Sequence, residues 1–270
     1  MIVQTEAIGE PFFFVRAAGH RLRATRLGPA AAAAPGAPTL VVLHEGLGSI
    51  PQWRDCPDAL CRATGLPGLV YERWGYGASD PVTLPRPEDF LEREAEDALP
   101  EVLAACGVAR PVLIGHSDGG TIALLFAAAF PERPVGIITE AAHVWLDEVT
   151  LSGLTEVAAR WRDTDLPARL ARHHGANTET MFRGWSETWL RPERRSWSIT
   201  GRLGRIVCPV LAIQGADDEH GLPAQVDAIV SGVSGPAERF LAPGCGHVPH
   251  HQAPEPVLAR MAAFIRKLPP

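Results

Sequence analysis

One serine of this chain stands in a setting that could make it a nucleophile. The run VLIGHSDGG places Ser117 directly after strand-forming aliphatic residues, with Gly115 and Gly119 two positions to either side. This matches the pattern G-x-S-x-G between a strand and a helix, and the almost wholly apolar run GGTIALLFAAAF follows it. Glycines at both positions leave room for a sharp turn that exposes the hydroxyl and directs N–H groups at developing negative charge. We therefore predict that Ser117 attacks a carbonyl group.

A serine hydroxyl needs a base, and the base needs an acid that orients it. Later in the chain, the loop after PVLAIQG carries Asp217 and Asp218, and the loop after AERFLAPG carries His247. Each of these residues would lie at the carboxyl end of a strand, where the active sites of open α/β sheets are found. We predict a triad of Ser117, Asp218 and His247, with Asp217 as the alternative acid.

Other histidines are weaker candidates for chemistry. His250 and His251 fall in the approach to the last helix, where solvated or pocket-wall positions are expected, and His116 is expected to be structural. His173 and His174 are adjacent and cannot easily chelate one ion, and no acidic residue has ligand spacing to them. We predict no metal site. Because no phosphate-cradling G-x-G-x-x-G follows the first strand, we predict no nucleotide and no other cofactor.

Length and composition bound the fold and exclude several classes of function. The chain has 270 residues, of which 46% are hydrophobic and 21% charged, enough for one sizeable domain with a buried core. The net charge of −6 argues against nucleic acid as a partner. No apolar run reaches the length of about eighteen residues that predicts a membrane span. The N-terminus has no basic signal-peptide region and the five cysteines form no CxxC pair, which favours a cytoplasmic protein with reduced thiols.

Strand and helix patterns alternate along most of the chain. PFFFVRAAG and HRLRATRLG predict an opening hairpin, and the Ala/Pro-rich segment Pro29–Pro38 predicts a surface loop. Continuous apolar runs such as TLVVLHEG are typical of strands buried on both faces of a parallel sheet. We predict an α/β fold with a mostly parallel central sheet of about eight strands and helices on both faces.

One long interval breaks this alternation. Residues 142–203 show no strand pattern, and five of the seven tryptophans lie there. We predict that this interval is a helical cap inserted into a core domain formed by residues 1–141 and 204–270. The alternative is a set of extra core helices.

Taken together, these motifs resemble those of the α/β-hydrolase superfamily, in its branch with a single cap. LHEGLGS corresponds to the oxyanion loop, ERWGYGASD to the loop after the next strand, GHSDGG to the nucleophile elbow, GADD to the acid and GCGH to the base. The resemblance implies a Ser–His–Asp triad, an acyl-enzyme and an oxyanion hole of two backbone N–H groups. One would belong to Asp118, directly after the nucleophile, and the other to Gly46. The Asp118 carboxylate itself suits the first turn of a helix.

The oxyanion loop departs from the common His-Gly-x-Gly pattern of that superfamily. It reads HEGLG, so Glu45 places a carboxylate where negative charge must be stabilised. This charge would oppose catalysis unless it points away or is neutralised. In one interpretation Glu45 turns away and holds the loop by hydrogen bonds to backbone N–H groups. In the other it faces the pocket and contacts substrate or a second polar group, such as Glu140 or His143.

The resemblance also narrows the reaction. Serine as nucleophile argues against dehalogenase and epoxide-hydrolase chemistry, for which the superfamily uses aspartate. A tryptophan-rich cap favours a small, largely apolar or aromatic substrate. We predict a serine esterase, compatible with a monomer or a homodimer. The alternatives are a carbon–carbon bond hydrolase of ring-fission products, which uses the same triad, and a lyase or ligand-binding member of the fold. The predicted pocket residues are Glu45, His143, Trp145, Trp185 and Trp189.

Overall fold

A single sheet of nine strands runs through the computed structural model of the chain, which describes residues 6–8, 11–28 and 36–269. The sheet has the order β1-β2-β3-β5-β4-β6-β7-β8-β9. The predicted Ala/Pro-rich loop lies mostly outside the described residues. The strands are β1 (Glu6–Ile8), β2 (Phe12–Ala17), β3 (His20–Leu27), β4 (Thr39–Leu43), β5 (Gly68–Tyr71), β6 (Pro111–His116), β7 (Gly136–Glu140), β8 (Val210–Gly215) and β9 (Ala237–Ala242).

The sheet is antiparallel at one side and parallel over the rest. β1, β2, β3 and β5 pair antiparallel in succession, with β2 and β3 forming the predicted hairpin. All pairs from β5 through β4, β6, β7 and β8 to β9 are parallel. The carboxyl ends of the parallel strands therefore meet at one edge, which is where the candidate site lies. The predicted α/β fold is confirmed, with nine strands in place of about eight.

The central strands are buried along their whole length, because helices cover both faces. In β6, Leu113 packs into the core cluster that contains Phe126, whereas Val112 and Ile114 pack into the cluster that contains Met261 on the other face. This alternation follows from the two-residue period of a strand. The apolar run before the candidate nucleophile thus supplies both layers of the core.

Helices fill the intervals between the strands. The helix after β6 is buried on nearly every side, as its apolar sequence predicts. The helical run that begins at Phe90 contains a π-helical turn at Glu94–Ala98. The α-helices are α1 (Cys56–Thr64), α2 (Phe90–Arg93), α3 (Leu99–Ala105), α4 (Asp118–Ala129), α5 (Glu148–Asp163), α6 (Leu166–His174), α7 (Thr178–Trp189), α8 (Thr200–Leu203), α9 (Ala224–Gly232), α10 (Pro249–Gln252) and α11 (Pro254–Ile265). Among the described residues, none of these helices combines the length and the apolar character needed to cross a membrane.

Residues 142–203, called the helical segment below, carry α5 to α8. Their backbone forms one isolated bridge, between Trp145 near the start of the segment and Ser198 near its end. The segment therefore leaves the core after β7 and returns before β8, as the break in the sequence pattern suggests.

Candidate active site

Ser117 stands on a strained turn between β6 and α4. Its φ of 52° and ψ of −117° place it in a backbone region that residues other than glycine rarely adopt. A Cβ atom at Gly115 would lie 2.1 Å from the carbonyl oxygen of Gly119, and one at Gly119 would lie 2.0 Å from the carbonyl oxygen of Leu43. Neither contact is possible for a real side chain, so both positions require glycine. The neighbouring backbone thus leaves no room for a side chain two residues before or after Ser117, which explains the two glycines of G-x-S-x-G.

A histidine and an aspartate from the predicted loops meet beside this turn. Nδ1 of His247 lies 2.8 Å from Oδ1 of Asp218. The Asp218 carboxylate is only 1% exposed and also accepts hydrogen bonds from the His220 backbone N–H and the Gln214 side-chain amide. The alternative acid, Asp217, is exposed and contacts Cys245 through its backbone N–H. The geometry therefore selects Asp218 as the partner of His247.

The environment of His247 favours a neutral imidazole. Burial disfavours the cation and lowers the pKa of His247 to about 4, although the bond to Asp218 works in the opposite direction. Burial acts to raise the pKa of Asp218, but the hydrogen bonds from His247 and from the His220 N–H, together with the nearby histidines, outweigh it, so the pKa lies below its usual value. Because a carboxylate can only accept, Nδ1 of His247 carries the proton and Nε2 has a free lone pair. A general base requires this state.

Ser117 and His247 line one cavity of about 210 Å³ at the carboxyl edge of the sheet. The predicted residues Glu45, Gly46, Asp118, His143, Trp185 and Trp189 line it as well. Sequence reasoning did not assign the other lining residues, which are Leu47, His116, Thr150, Leu154, Val157, His220 and Val248. No lysine or arginine of the described chain belongs to this lining.

The prediction that Trp145 contacts the pocket is corrected by the structure. Trp145 is absent from the lining of the cavity. Its backbone bridges to Ser198, its carbonyl oxygen accepts from the Gln225 side chain at 3.1 Å, and its partly buried side chain packs against the core. A tryptophan at the start of the helical segment is thus held in the core, whereas two tryptophans of α7 reach the cavity.

The two residues predicted to supply the oxyanion hole line the same cavity as Ser117. Gly46 lines the cavity, and its N–H donates no hydrogen bond to any described residue. Asp118 is the first residue of α4, where an N–H has no partner within the helix. A Cβ atom at Gly46 would lie 2.0 Å from Nε1 of Trp185, so only glycine fits beneath that indole.

The Asp118 carboxylate is buried between an indole and a guanidinium. Nε1 of Trp189 donates to its Oδ1 at 3.2 Å, and Nη1 of Arg73 lies 3.8 Å from its Oδ2. The Asp118 carboxylate thus links the helical segment to the loop after β5. This contact is additional to its expected favourable position in the first turn of a helix. Sequence reasoning missed Arg73. Its position in ERWGYG, a lone cation between a buried strand and a glycine-rich turn, was the available signal.

The Glu45 carboxylate faces His116, a contact that neither interpretation from the sequence named. Its side chain is 25% exposed, and its Oε2 lies 3.6 Å from Nδ1 of His116. A Cβ atom at Gly48 would lie 2.3 Å from the same oxygen, so the carboxylate lies over Gly48. Burial acts to raise the pKa of Glu45, but His116 outweighs it and holds the pKa well below the usual range.

His116 completes this pair from beneath the cavity. Burial acts to lower its pKa, but Glu45 outweighs burial and the pKa of His116 is raised. Nε2 of His116 lies 2.7 Å from the carbonyl oxygen of His247, which can only accept. Both ring nitrogens therefore face acceptors, which suits an imidazolium. The Glu45 carboxylate beside the oxyanion loop is thus paired with His116.

Two other histidines near the site lie in different environments. His250 is buried rather than solvated: its Nδ1 lies 2.7 Å from Oε2 of Glu140, and its ring stacks on Trp53. His143 lines the cavity and donates from Nε2 to the carbonyl oxygen of His220 at 2.8 Å. The packing of α10 against the end of the sheet explains why His250 is not accessible.

His174 ties the helical segment to the core. Its Nδ1 accepts from the Gly77 N–H at 2.9 Å, and its Nε2 donates to the carbonyl oxygen of Leu47 at 3.0 Å. Both nitrogens are thus engaged with backbone groups. Among the described residues, no group of three or more His, Cys, Asp or Glu side chains is arranged to hold a metal ion.

These features agree with a family assignment. The sequence profile of the alpha/beta hydrolase family matches residues 40–260. The chain belongs to this family. It is an α/β-fold hydrolase, and the profile covers the elbow, the acid loop and the histidine loop described above.

Individual relatives are distant. The chain is 26% identical over 265 residues to a 2-succinyl-6-hydroxy-2,4-cyclohexadiene-1-carboxylate synthase from Enterobacter sp. (strain 638), covering 88% of this chain and 96% of the relative. It is 29% identical over 159 residues to the serine hydrolase BPHL of Homo sapiens, covering 56% of this chain and 53% of that protein. A hydrolase from Pseudomonas aeruginosa PA01 superposes with a TM-score of 0.75 at 20% identity, over 96% of this chain and 99% of the other. That structural likeness shows the fold.

Proposed function

We propose that this hydrolase is a serine esterase, which transfers the acyl group of a small, largely apolar ester first to Ser117 and then to water. One observation carries the proposal: His247 is bonded through Nδ1 to Asp218 and lines the same cavity as the hydroxyl on the strained elbow. A positioned base that shares a cavity with a serine hydroxyl is the arrangement that nucleophilic catalysis requires.

The reaction would proceed in two half-reactions. Nε2 of His247 takes the proton of the Ser117 hydroxyl as its oxygen attacks the ester carbonyl, and Asp218 stabilises the resulting imidazolium. The N–H groups of Gly46 and Asp118 donate to the oxyanion. His247 then gives the proton to the departing alkoxide, which leaves an acyl-serine. Water repeats the sequence, and its attack releases the carboxylic acid and restores the serine.

The lining of the cavity favours an uncharged ester. It includes the ionised Glu45 carboxylate, and none of the described lysines or arginines reaches it. A carboxylate-bearing substrate would find no lysine or arginine there of the kind that anion recognition uses. This weighs against ring-fission acids as substrates. It also weighs against the chemistry for which the Enterobacter relative is named, since that name specifies a carboxylate.

We further propose that the helical segment acts as the cap of this site. Its residues Thr150, Leu154 and Val157 from α5, together with two tryptophans of α7, form the apolar side of the cavity. The protein would act in the cytoplasm, since all five cysteines are free and four of them are buried. The proposed partner is the small-molecule substrate alone.

Turnover of matched substrates tests this proposal. We expect p-nitrophenyl butyrate to be hydrolysed with a kcat/KM at least about tenfold above that of p-nitrophenyl hydrogen succinate, because the second carries a carboxylate that finds no lysine or arginine in the cavity. Ser117→Ala is the control and is expected to abolish both activities. Inert esters combined with rapid cleavage of a vinylogous 1,5-diketone acid would replace the esterase by a carbon–carbon hydrolase.

A further inference from the structure

Arg73 is a fully buried cation behind the oxyanion loop. It lies just beyond the end of β5, is 0% exposed, and its guanidinium lies 4.4 Å from the centre of the Tyr76 ring. A buried charge is costly unless it is paired and hydrogen-bonded. The groups that satisfy Arg73 therefore indicate what the cation stabilises.

Most of these groups belong to the loop that carries Gly46. Nη2 of Arg73 donates to the carbonyl oxygen of Glu45 at 2.7 Å and to that of His44 at 3.2 Å. The backbone N–H of Arg73 donates to Nε2 of His44 at 3.1 Å. Arg73 thus holds two successive carbonyl groups and the histidine ring of the loop.

The His44 ring reinforces the same carbonyl group. Because Nε2 of His44 accepts from Arg73, the ring proton is on Nδ1, which lies 2.8 Å from the carbonyl oxygen of Glu45 and donates to it. The N–H of Gly48 donates to that oxygen at 3.1 Å. The Glu45 carbonyl is therefore held by a guanidinium, an imidazole and a backbone amide.

Anchoring this carbonyl orients the proposed oxyanion donor. The peptide group between Glu45 and Gly46 is planar, and in its trans form the N–H points opposite to the C=O. Holding the Glu45 oxygen on the Arg73 side therefore directs the Gly46 N–H away from Arg73, toward the cavity that Gly46 lines. Loss of the anchor would let this peptide rotate and remove the donor.

The Arg73 guanidinium also lies near Asp118, on the second side of the proposed oxyanion hole. Its Nη1 lies 3.8 Å from Oδ2 of Asp118, the residue whose N–H is the second proposed donor. The Asp118 carboxylate is buried next to the position where an oxyanion would form. Arg73 compensates that charge, so the carboxylate opposes the oxyanion less.

We propose that Arg73 is the positioning residue of the oxyanion hole: it orients the Gly46 N–H through the Glu45 carbonyl and neutralises Asp118 behind the second donor. This inference rests on the proposed esterase function. It adds a residue that touches no substrate and acts through the two donors.

Arg86 offers a matched control. It is 3% exposed, its guanidinium lies 5.1 Å from the same Tyr76 ring, and it donates to the Tyr76 hydroxyl at 3.0 Å and the Trp74 carbonyl at 3.2 Å. None of its described hydrogen bonds reaches the loop of residues 44–48. Arg86→Met therefore removes a buried arginine from the same neighbourhood and leaves the proposed anchor intact.

The test compares Arg73→Met and Arg73→Lys with Arg86→Met. We expect Arg73→Met to lower kcat on p-nitrophenyl butyrate by about 10²-fold, the size of effect known for loss of one oxyanion donor, with KM within about twofold. The kcat of Arg73→Lys is expected to lie between that of Arg73→Met and that of the wild type, because an ammonium group can reach one carbonyl but lacks the two-pronged geometry of a guanidinium. Arg86→Met is expected to keep kcat within about twofold. Thermal unfolding of all variants accompanies the kinetics.

Infrared spectra of the acyl-enzyme supply a readout that general destabilisation does not move. With a ¹³C-labelled acyl carbonyl, we expect the stretching band of the Arg73→Lys and Arg73→Met acyl-enzymes to move to higher wavenumber, since hydrogen bonds from the hole are weakened. The Arg86→Met band is expected to match the wild type. An unchanged band in the Arg73 variants, or an equal loss of kcat in Arg86→Met, overturns the inference while the esterase proposal stands. A wild-type protein that forms no acyl-enzyme overturns both.

Discussion

The imidazole of His116 donates a hydrogen bond of 2.7 Å to the backbone carbonyl of His247. The residue before the candidate nucleophile therefore holds the loop that carries the candidate base. Its other nitrogen faces Glu45 at 3.6 Å, so the oxyanion loop, the elbow and the histidine loop are joined through one ring. This connection gives the unusual glutamate of the oxyanion loop a structural reason.

Glu45→Gln is expected to lower stability in a pH-dependent way. The pKa of Glu45 is lowered on folding, so the pair contributes stability above about pH 4.3, the unfolded value, and loses it as pH falls through the folded pKa. The pKa of His116 is raised, so its contribution is present below about pH 6.5 and is lost as pH rises through the folded pKa. The deficit in free energy of unfolding should be largest between these values.

Urea unfolding at pH 5.5 and pH 9 measures this deficit. Glu187→Gln, which removes an exposed partner of Arg183, serves as the control and should change stability by no more than about 0.5 kcal/mol at either pH. A deficit for Glu45→Gln that is the same at both pH values would show that the His116 pair does not cause it.

The pH profile of hydrolysis is expected to be unusually acid-tolerant. The proposed mechanism needs a neutral His247, and burial lowers the pKa of His247 to about 4. Since the base is then deprotonated throughout the range above that value, kcat/KM should stay level from about pH 7 down to pH 5 and fall about tenfold per pH unit below pH 4. Steady-state kinetics on an uncharged ester tests this. If kcat/KM instead begins to fall at about pH 6.5, the ordinary pKa of histidine, the account of His247 as a buried base is contradicted.

Adjacent aspartates offer a matched pair of variants. Asp218→Asn is expected to lower kcat by about 10⁴-fold, because an amide no longer fixes the proton on Nδ1 of His247 or stabilises its cation. Asp217→Asn changes an exposed side chain in the same loop and is expected to retain wild-type turnover. Similar losses in both variants would mean that the loop, rather than the bond to His247, is what matters.

The steric requirement for glycine at the turn around Ser117 can be tested by measuring the free energy of unfolding. Gly119→Ala would place a Cβ atom 2.0 Å from the Leu43 carbonyl oxygen, so strand and helix must separate, at a cost of about 1–3 kcal/mol or more. Gly201→Ala is the control, since a Cβ atom there meets nothing within 4 Å. Chemical unfolding of both variants is the measurement. Equal stability would remove the steric explanation of the motif.

The fold and the pair of His247 with Asp218 could be predicted because they depend on local patterns and chain order. Apolar runs, the elbow glycines and two loops after strands are visible in the sequence itself. The contacts of Arg73, the pair of Glu45 with His116 and the pair of Glu140 with His250 could not. Each joins side chains from separate strands or loops, and their mutual orientation depends on strand order and side-chain direction in the folded sheet.

The tryptophans also show which features the sequence could predict and which it could not. Composition indicated that the helical segment would contribute aromatic residues to the pocket, and Trp185 and Trp189 of α7 do line it. Trp145 does not line the cavity; its backbone bridges to Ser198 and its side chain packs against the core elsewhere. The composition of a segment thus predicts that aromatic side chains will line the pocket. Which of them do so depends on the path of the backbone.

Reaction with a fluorophosphonate, followed by mass spectrometry of the digested protein, tests the central claim most directly. If Ser117 is activated by His247, the phosphonyl group will be found on the peptide that contains Ser117, and His247→Ala will lose the labelling. Labelling on another residue, or equal labelling of the wild type and His247→Ala, would contradict the assignment of nucleophile and base.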